Sequence, residues 1–318
     1  MPRMRYRSFG STGWDVSELS LGIAEQGLAE YGFYGLKDSR PADRRERVAL
    51  LLHAFERGVT FVDTSSGHGE AEEVLGEALA AWREPVRVAT KVSCTAPEER
   101  SLGEHVRESI EASLTMLGRE RIDVVQLDDA TAGDIGREEL VGALADAREK
   151  GKIERVGAAV RTPEDALAAV RHEAIDVVQV AFNLLDQRAA RQVFPEAEAR
   201  GVALLVRSAL LLGVLTSERR DLPEELATLR DAADRAERWA QKNGDDLTRG
   251  ALRFCIAQRE VGSVLVSVRS RAELDEVLAA ADAEPLHSHR LANADRLALD
   301  DEALIDSRRW PTGSTAGA

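Results

Sequence analysis

The segment that decides the fold runs Phe61-Val-Asp-Thr-Ser-Ser-Gly-His-Gly-Glu-Ala-Glu-Glu-Val-Leu-Gly76. It begins with the apolar end of a predicted strand, 59–63, and continues through a glycine-flanked loop that carries His68. It then enters a stretch with apolar residues at helical spacing, 70–82. A strand, a short loop and a helix in this order form the repeating unit of a parallel sheet covered by helices.

The same alternation of short apolar runs and longer amphipathic segments continues along the 318 residues. Several of the runs are apolar throughout, as expected for strands covered on both faces. The eight predicted strands are Ser20–Ile23, Val59–Asp63, Val86–Lys91, Asp123–Leu127, Arg155–Val160, Ile175–Ala181, Ala203–Val206 and Ser263–Val266. Predicted helices include Ala42–Arg57, Glu70–Trp82, Leu102–Leu117, Arg137–Lys150 and Pro163–Arg171. We therefore predict an α/β fold, a closed (β/α)8 TIM barrel.

Three segments fall outside the eight units, and we predict a single barrel domain over 1–318 that includes them. Two short runs flank Gly10-Ser-Thr-Gly13 within 4–19, which predicts an N-terminal β-hairpin that plugs the barrel floor. A highly charged amphipathic stretch, about 222–242, predicts an insertion helix. The last residues, about 312–318, are small and polar and are predicted to be a disordered tail.

The charge balance predicts a small-molecule ligand. There are 56 Asp and Glu against 42 Lys and Arg, a net charge of −14, whereas a nucleic-acid partner needs a basic face. The longest apolar runs, such as 209–215, are too short to cross a bilayer, so we expect no membrane role. Two distant cysteines, Cys94 and Cys255, and the lack of a signal segment predict a cytoplasmic protein. The oligomeric state is left open.

The segment 61–76 resembles that of aldo-keto reductases, in which an Asp-Thr pair is followed by Tyr-Gly and a Glu-rich helix. Further matches occur in the same order at Arg5–Gly22, Ala89–Lys91, Ile122–Leu127, Asp176–Asp186 and Val206–Thr216, so the resemblance covers most of 4–280. It implies a (β/α)8 barrel that reduces carbonyls with NADPH, bound in an extended groove at the C-terminal mouth.

The resemblance also implies a catalytic set of Asp, Tyr, Lys and His, of which two members are replaced here. Asp63 and Lys91 match the family's Asp and Lys. His68 stands in the position of the Tyr, and Asp128 in that of the His. The candidate catalytic residues are therefore Asp63, His68, Lys91 and Asp128.

The two replacements have different consequences for carbonyl reduction. A histidine donates protons readily near neutral pH, because its reference pKa is about 6.5. An ionised Asp128 would face the negative charge that develops on the substrate oxygen. At about 4 Å and an effective dielectric near 20 this repulsion is roughly 4 kcal/mol, or about three powers of ten in rate. A protonated Asp128 would instead donate a hydrogen bond. The sequence leaves both states open.

The cofactor positions that the resemblance implies are partly kept. Gln179 matches one holder of the nicotinamide amide, while Ala159 and Val160 replace the polar holders. The pyrophosphate loop keeps Arg207, Ser208 and Gly213.

The segment implied to bind the 2′-phosphate keeps Arg269 but carries Glu273 where the family has Arg or Gln, and Val277 where it has Asn. Because an anionic side chain opposes a phosphate, we expect NADP binding to be weak or absent. No histidine or cysteine spacing predicts a metal site.

Three functions are compatible with these residues. The leading hypothesis is a non-redox enzyme that uses the four candidate residues for isomerisation, elimination or cyclisation. The second is an NAD(P)H-dependent carbonyl reductase with an altered proton donor, for which Tyr31 and Tyr34 in the loop after the first strand are further candidates. The third is a non-catalytic binding or regulatory barrel, in which Asp63 and Lys91 persist as a structural salt bridge.

Overall fold

Eight parallel strands close into a barrel in a computed structural model that describes residues 4–28, 43–286, 288–291 and 293–311. The order around the barrel is β3 to β10, with β10 pairing with β3. The barrel strands are β3 (Leu19–Gly22), β4 (Phe61–Asp63), β5 (Arg87–Ser93), β6 (Ile122–Asp128), β7 (Ile153–Ala159), β8 (Val177–Ala181), β9 (Ala203–Arg207) and β10 (Val261–Val266). The predicted (β/α)8 barrel is confirmed, and each predicted strand boundary lies within two residues of the observed one.

The predicted N-terminal hairpin is also confirmed, as β1 (Tyr6–Ser8) paired antiparallel with β2 (Asp15–Ser17). Its connection places Phe9 and Trp14 in an apolar cluster with Phe61 and other residues of the barrel strands. The Phe9 and Phe61 rings lie 5.3 Å apart. Gly262 on β10 leaves room for Phe9, since a Cβ there would overlap the ring. The hairpin therefore fills the floor of the barrel.

Helices cover the outside of the barrel and bury a second, larger apolar cluster against the strands. The boundaries follow from local chemistry: Ser101 and Glu104 form a capping box at the start of α4, and Gly118 ends it in the left-handed conformation. The helices are α1 (Ala24–Gly27), α2 (Arg44–Glu56), α3 (Ala71–Ala81), α4 (Leu102–Leu117), α5 (Ala132–Ile135), α6 (Glu138–Glu149), α7 (Pro163–Arg171), α8 (Arg188–Arg200), α9 (Ala227–Lys242), α10 (Leu247–Ile256), α11 (Arg271–Asp282), α12 (Ser288–Leu291) and α13 (Glu302–Ile305).

Two of the sequence predictions concern segments outside the regular barrel units. Helix α9 lies in the stretch predicted as an insertion helix, 222–242, with 3-10 turns before it. The predicted tail, 312–318, lies outside the described residues, as do Tyr31 and Tyr34. Among the described residues, no helix is long and apolar enough to cross a membrane.

Candidate active site

A cavity of about 390 Å³ opens at the carboxyl ends of the barrel strands. Asp63, Lys91 and Asp128 reach it from three adjacent strands, β4, β5 and β6, and His68 reaches it from the loop after β4. Parallel strands in a barrel present their carboxyl ends at one face, which is where barrel enzymes carry their sites. The four candidate catalytic residues therefore share one cavity.

Asp63 and Lys91 form a buried ion pair, only 4% and 6% exposed. Lys91 Nζ donates to Asp63 Oδ2 at 2.5 Å and to the Thr64 carbonyl at 2.8 Å. The other carboxylate oxygen, Oδ1, accepts from Gln126 Nε2 at 2.7 Å and from Gln179 Nε2 at 3.0 Å. Both oxygens of Asp63 thus accept hydrogen bonds, and the carboxylate positions Lys91, whose ammonium group has a third hydrogen to donate.

His68 is a neutral imidazole in this cavity. Burial and, to a smaller extent, the Lys91 charge lower its pKa to about 4, while the Asp63 charge acts in the opposite direction. Its Nδ1 is buried without a hydrogen-bond partner among the described residues. The sequence predicts that His68 donates a proton near neutral pH. With the lowered pKa the ring is neutral instead, and it polarises an oxygen through an N–H group rather than by giving up a proton.

Asp128 lies half-buried at the end of β6, and burial raises the pKa of its carboxyl above the usual value. The charge on Lys91 opposes this rise, Asp63 reinforces it, and Arg207 and Arg161 oppose it. A raised pKa is the direction that either a proton-donating carboxyl or a proton-accepting base near neutral pH requires. Its neighbour Asp129 pairs with Arg161 and has a left-handed backbone, φ 51°.

Gln179 lines the cavity, but its amide nitrogen is directed to Asp63 and, at 3.2 Å, to Gln126 Oε1. The resemblance implies that this side chain holds a nicotinamide amide, and its amide nitrogen also belongs to the network that fixes the ion pair. Sequence reasoning missed Gln126, the one uncharged polar residue in the run Ile122–Leu127. A lone amide in a fully buried strand signals a partner of this kind, because buried polar groups are hydrogen-bonded.

The loop after β9 borders the cavity, and its backbone is strained. Ser208, Leu211 and Leu212 all have positive φ, at 59°, 45° and 51°. This left-handed conformation costs a residue with a side chain roughly 1–2 kcal/mol. Arg207 donates to the Val160 carbonyl at 2.9 Å. Such strain clusters at sites where ligands bind. The predicted phosphate-loop residues Arg207, Ser208 and Gly213 all line the cavity.

The far end of the cavity is acidic. Arg269 Nη2 donates to Glu218 Oε1 at 2.6 Å, and its Nε donates to Glu273 Oε1 at 3.0 Å. Glu25 lies beside them, and burial raises its pKa to about 7; Arg269 opposes the rise, while Glu273 and Glu218 reinforce it. Sequence reasoning had placed only Arg269 and Glu273 here. We call Glu25, Glu218, Glu273 and Arg269 the acidic cluster.

The two ends of this groove offer fewer free polar side-chain groups to NADPH than the family resemblance implies. At the barrel centre, Ala159 offers no polar side-chain atom, and the Gln179 amide nitrogen already has two acceptors. At the far end, the guanidinium of Arg269 forms salt bridges with two carboxylates of the same chain. The expectation that NADP binding is weak or absent therefore stays a prediction, now with a structural basis at both ends.

Cys94, one of the two cysteines, is a packed structural side chain. Cys94 is buried, its Sγ donates to the Asp128 carbonyl, and burial raises the pKa of its thiol to about 12. Within the part of the chain that the structure describes, no group of three or more His, Cys, Asp and Glu side chains is arranged to hold a metal ion.

Comparison with known proteins links this barrel to one family. The sequence model of the Aldo/keto reductase family matches residues 30–298. L-galactose dehydrogenase from Arabidopsis thaliana is 26% identical over 98% of this chain and 99% of its own. The NADH-specific methylglyoxal reductase of Escherichia coli is 27% identical over 55% of this chain and 59% of its own. The holo form of an aldo-keto reductase from Bacillus halodurans superposes with a TM-score of 0.77 at 23% identity, over 97% and 100% of the two chains.

Proposed function

The chain belongs to the aldo-keto reductase family, and on that premise we propose that it moves protons on a small carbonyl compound without transferring hydride. Members of the family act on small molecules and generally bind NADH or NADPH. One observation supports the proposal: Asp63, His68, Lys91 and Asp128 line a single cavity, whereas Gln179 and Arg269, which the resemblance implies for NADPH, already bond to side chains of this chain.

The proposed chemistry assigns each residue a separate task. Lys91, held by Asp63, and the neutral ring of His68 hydrogen-bond the carbonyl oxygen and stabilise the charge that develops there. Asp128 takes a proton from the neighbouring carbon and returns it to another atom of the substrate. A carboxylate whose pKa is raised by burial is a stronger base than an exposed one. Isomerisation and elimination both follow from such an enolate.

Proton exchange without a dinucleotide tests this proposal. The protein would be incubated in D2O with small carbonyl compounds, including the hydroxyaldehyde L-galactose and the ketoaldehyde methylglyoxal, and deuterium incorporation next to the carbonyl would be followed by NMR. We expect Asp128→Asn and Lys91→Met each to slow exchange by at least about 100-fold. Matched changes at exposed positions, Asp231→Asn and Lys242→Met, are expected to leave it unchanged.

The second candidate is an NADH- or NADPH-dependent reductase with an altered proton donor. Two observations favour it: Lys91 and Arg269 line the same cavity, and the relatives are named as a dehydrogenase and a reductase. If turnover on the same panel occurs only when NADH or NADPH is added, this candidate replaces the first. Turnover that Lys91→Met abolishes, by either route, excludes the non-catalytic barrel.

A further inference from the structure

A second cavity lies at the amino ends of the barrel strands, away from the candidate active site. Arg259, just before β10 begins, lines it, whereas Val266, where β10 ends, lines the first cavity. The second cavity lies between the N-terminal hairpin, the end of α10 and the segment after α11. Its volume is about 400 Å³, within the roughly 300–1,000 Å³ of small-molecule sites. We call it the hairpin cavity.

Arginines predominate in the charged lining of the hairpin cavity. Four arginines and two glutamates line it: Arg5, Arg7, Arg253, Arg259, Glu18 and Glu284. Arg259 and Glu284 are exposed to solvent, whereas Glu18 and Arg253 are each only 7% exposed. The whole chain carries a net charge of −14, so a cavity with more cations than anions differs from the average of its surface. Such a cavity attracts anions.

Glu18 is a single carboxylate that two of these guanidiniums share. Its Oε2 accepts from Arg5 Nε at 2.9 Å, and its Oε1 accepts from Arg7 Nη2. Other bonds of the two arginines go to backbone carbonyls: Arg5 Nη1 donates to Ala283 at 2.8 Å, and Arg7 Nη1 donates to Val261 at 2.9 Å. These carbonyls hold the guanidiniums in place without adding a full negative charge. Two guanidiniums against one carboxylate leave this wall with one positive charge in excess.

Arg253 repeats this arrangement from α10. Its Nη1 donates to Asp245 Oδ2 at 2.5 Å, and Arg249 pairs with the other oxygen of the same carboxylate at 3.2 Å. Its Nη2 donates to the Glu284 carbonyl. Its Nε is buried and has no hydrogen-bond partner in the described part of the chain. An unsatisfied buried donor destabilises a native structure, so an acceptor in the cavity would meet a need that the described residues leave open.

We propose that the hairpin cavity binds a phosphoryl dianion, either free phosphate or the phosphate group of a small ester. Four guanidiniums share two carboxylates here, which leaves two positive charges in excess. A phosphoryl group carries nearly two negative charges at neutral pH, and an arginine fork bonds two of its oxygens at once. Ile256, Pro285 and Leu286 add an apolar wall that suits the organic part of an ester. A polyanion such as nucleic acid is instead repelled by the acidic chain.

Isothermal titration calorimetry on the whole chain tests the proposal with two probes, inorganic phosphate and glycerol 3-phosphate. The titrations would be made at pH 8, where the phosphoryl group is a dianion, with sodium chloride at matched ionic strength as the control for screening. We expect saturable one-to-one binding of both probes and none of chloride. Tighter binding of glycerol 3-phosphate identifies an ester as the ligand, and equal or tighter binding of inorganic phosphate identifies the free ion.

Two variants remove donors from the hairpin cavity and keep its carboxylates paired. Arg253→Lys keeps a cation beside Asp245 and loses the Nε donor. Arg5→Gln removes one cation and leaves Arg7 paired with Glu18. Each variant is expected to weaken the binding of both probes by at least about 10-fold, because a charge-assisted hydrogen bond to the phosphoryl group is lost.

Two further changes of arginine to glutamine serve as matched controls. Arg235→Gln lies at an exposed position on α9, and Arg207→Gln lies in the candidate active site. Both are expected to leave phosphate binding unchanged. Circular dichroism and urea unfolding would establish that each variant is folded.

Three results overturn the inference: no binding of either probe at millimolar concentration, binding that both Arg253→Lys and Arg5→Gln retain, or binding that Arg207→Gln abolishes. The first would mean that these arginines only fasten the hairpin to α10, and the last would place the phosphate in the other cavity. None of them bears on proton exchange at the candidate active site, so this inference and the proposed function can fail separately.

Discussion

The charge on Lys91 is expected to control the protonation of His68. Burial and Lys91 lower the pKa of His68 to about 4, and Asp63 acts in the opposite direction. Lys91→Met removes the cation and leaves the Asp63 carboxylate, which favours the imidazolium. A charge within about 4–6 Å shifts a pKa by roughly 1–3 units. We therefore expect the pKa of His68 to rise by about 1–2 units in Lys91→Met and to stay low in Lys91→Arg.

The assay is a pH titration by NMR with 13Cε1-labelled histidine. The chain has six histidines, and His68→Gln identifies the signal of interest by its loss. Lys242→Met, at an exposed position, is the control and is expected to leave the titration unchanged. A His68 that titrates near 6.5 in the wild type, or that does not respond to Lys91→Met, would refute the neutral ring on which the proposed chemistry depends.

The same shift has a consequence for stability. The unfolded chain binds a proton at His68 below about pH 6.5, whereas the native protein does so only near pH 4, so the native state loses stability as pH falls through this window. The full shift is worth about 3 kcal/mol at 1.36 kcal/mol per unit, and roughly 2 after solvent screening of this half-buried ring. Urea unfolding at pH 7 and pH 4.5 measures this contribution. We expect the free energy of unfolding to fall between these pH values in the wild type, and to fall less in His68→Gln.

Three further predictions concern the scaffold. Phe9→Ala is expected to lower the free energy of unfolding by about 3–5 kcal/mol, since it empties the barrel floor; urea denaturation measures this, and a loss below 1 kcal/mol would contradict it. Gly262→Ala is expected to cost about 1–3 kcal/mol through its overlap with Phe9; in a double-mutant cycle with Phe9→Ala, an undiminished cost would show that the overlap is not the cause. Burial raises the pKa of Glu72, against the hydrogen bond from Thr90 and the charge on Lys91. Glu72→Gln is thus expected to raise the free energy of unfolding by about 1 kcal/mol at pH 8 and by less at pH 4. An equal change at the two pH values would contradict this prediction.

The sequence alone determined the barrel and the position of the four candidate catalytic residues at one end of it. The strands are short apolar runs because both faces are covered, and that pattern is local, so it can be read without coordinates. Asp63, Lys91 and Asp128 end or nearly end three such runs, and parallel strands bring their carboxyl ends to one face. The hairpin could also be predicted from the sequence, because two glycines and a Ser-Thr pair separate its two short strands.

The tertiary structure alone decided what the site residues are bonded to and how they are charged. The sequence shows that Gln179 carries an amide, and only the structure shows that its nitrogen donates to Asp63 and Gln126. The low pKa of His68 and the acidic cluster likewise depend on burial and on side chains that lie far apart in the sequence. Desolvation and Coulomb energy are set by distances in space, and a pattern along the chain does not contain those distances.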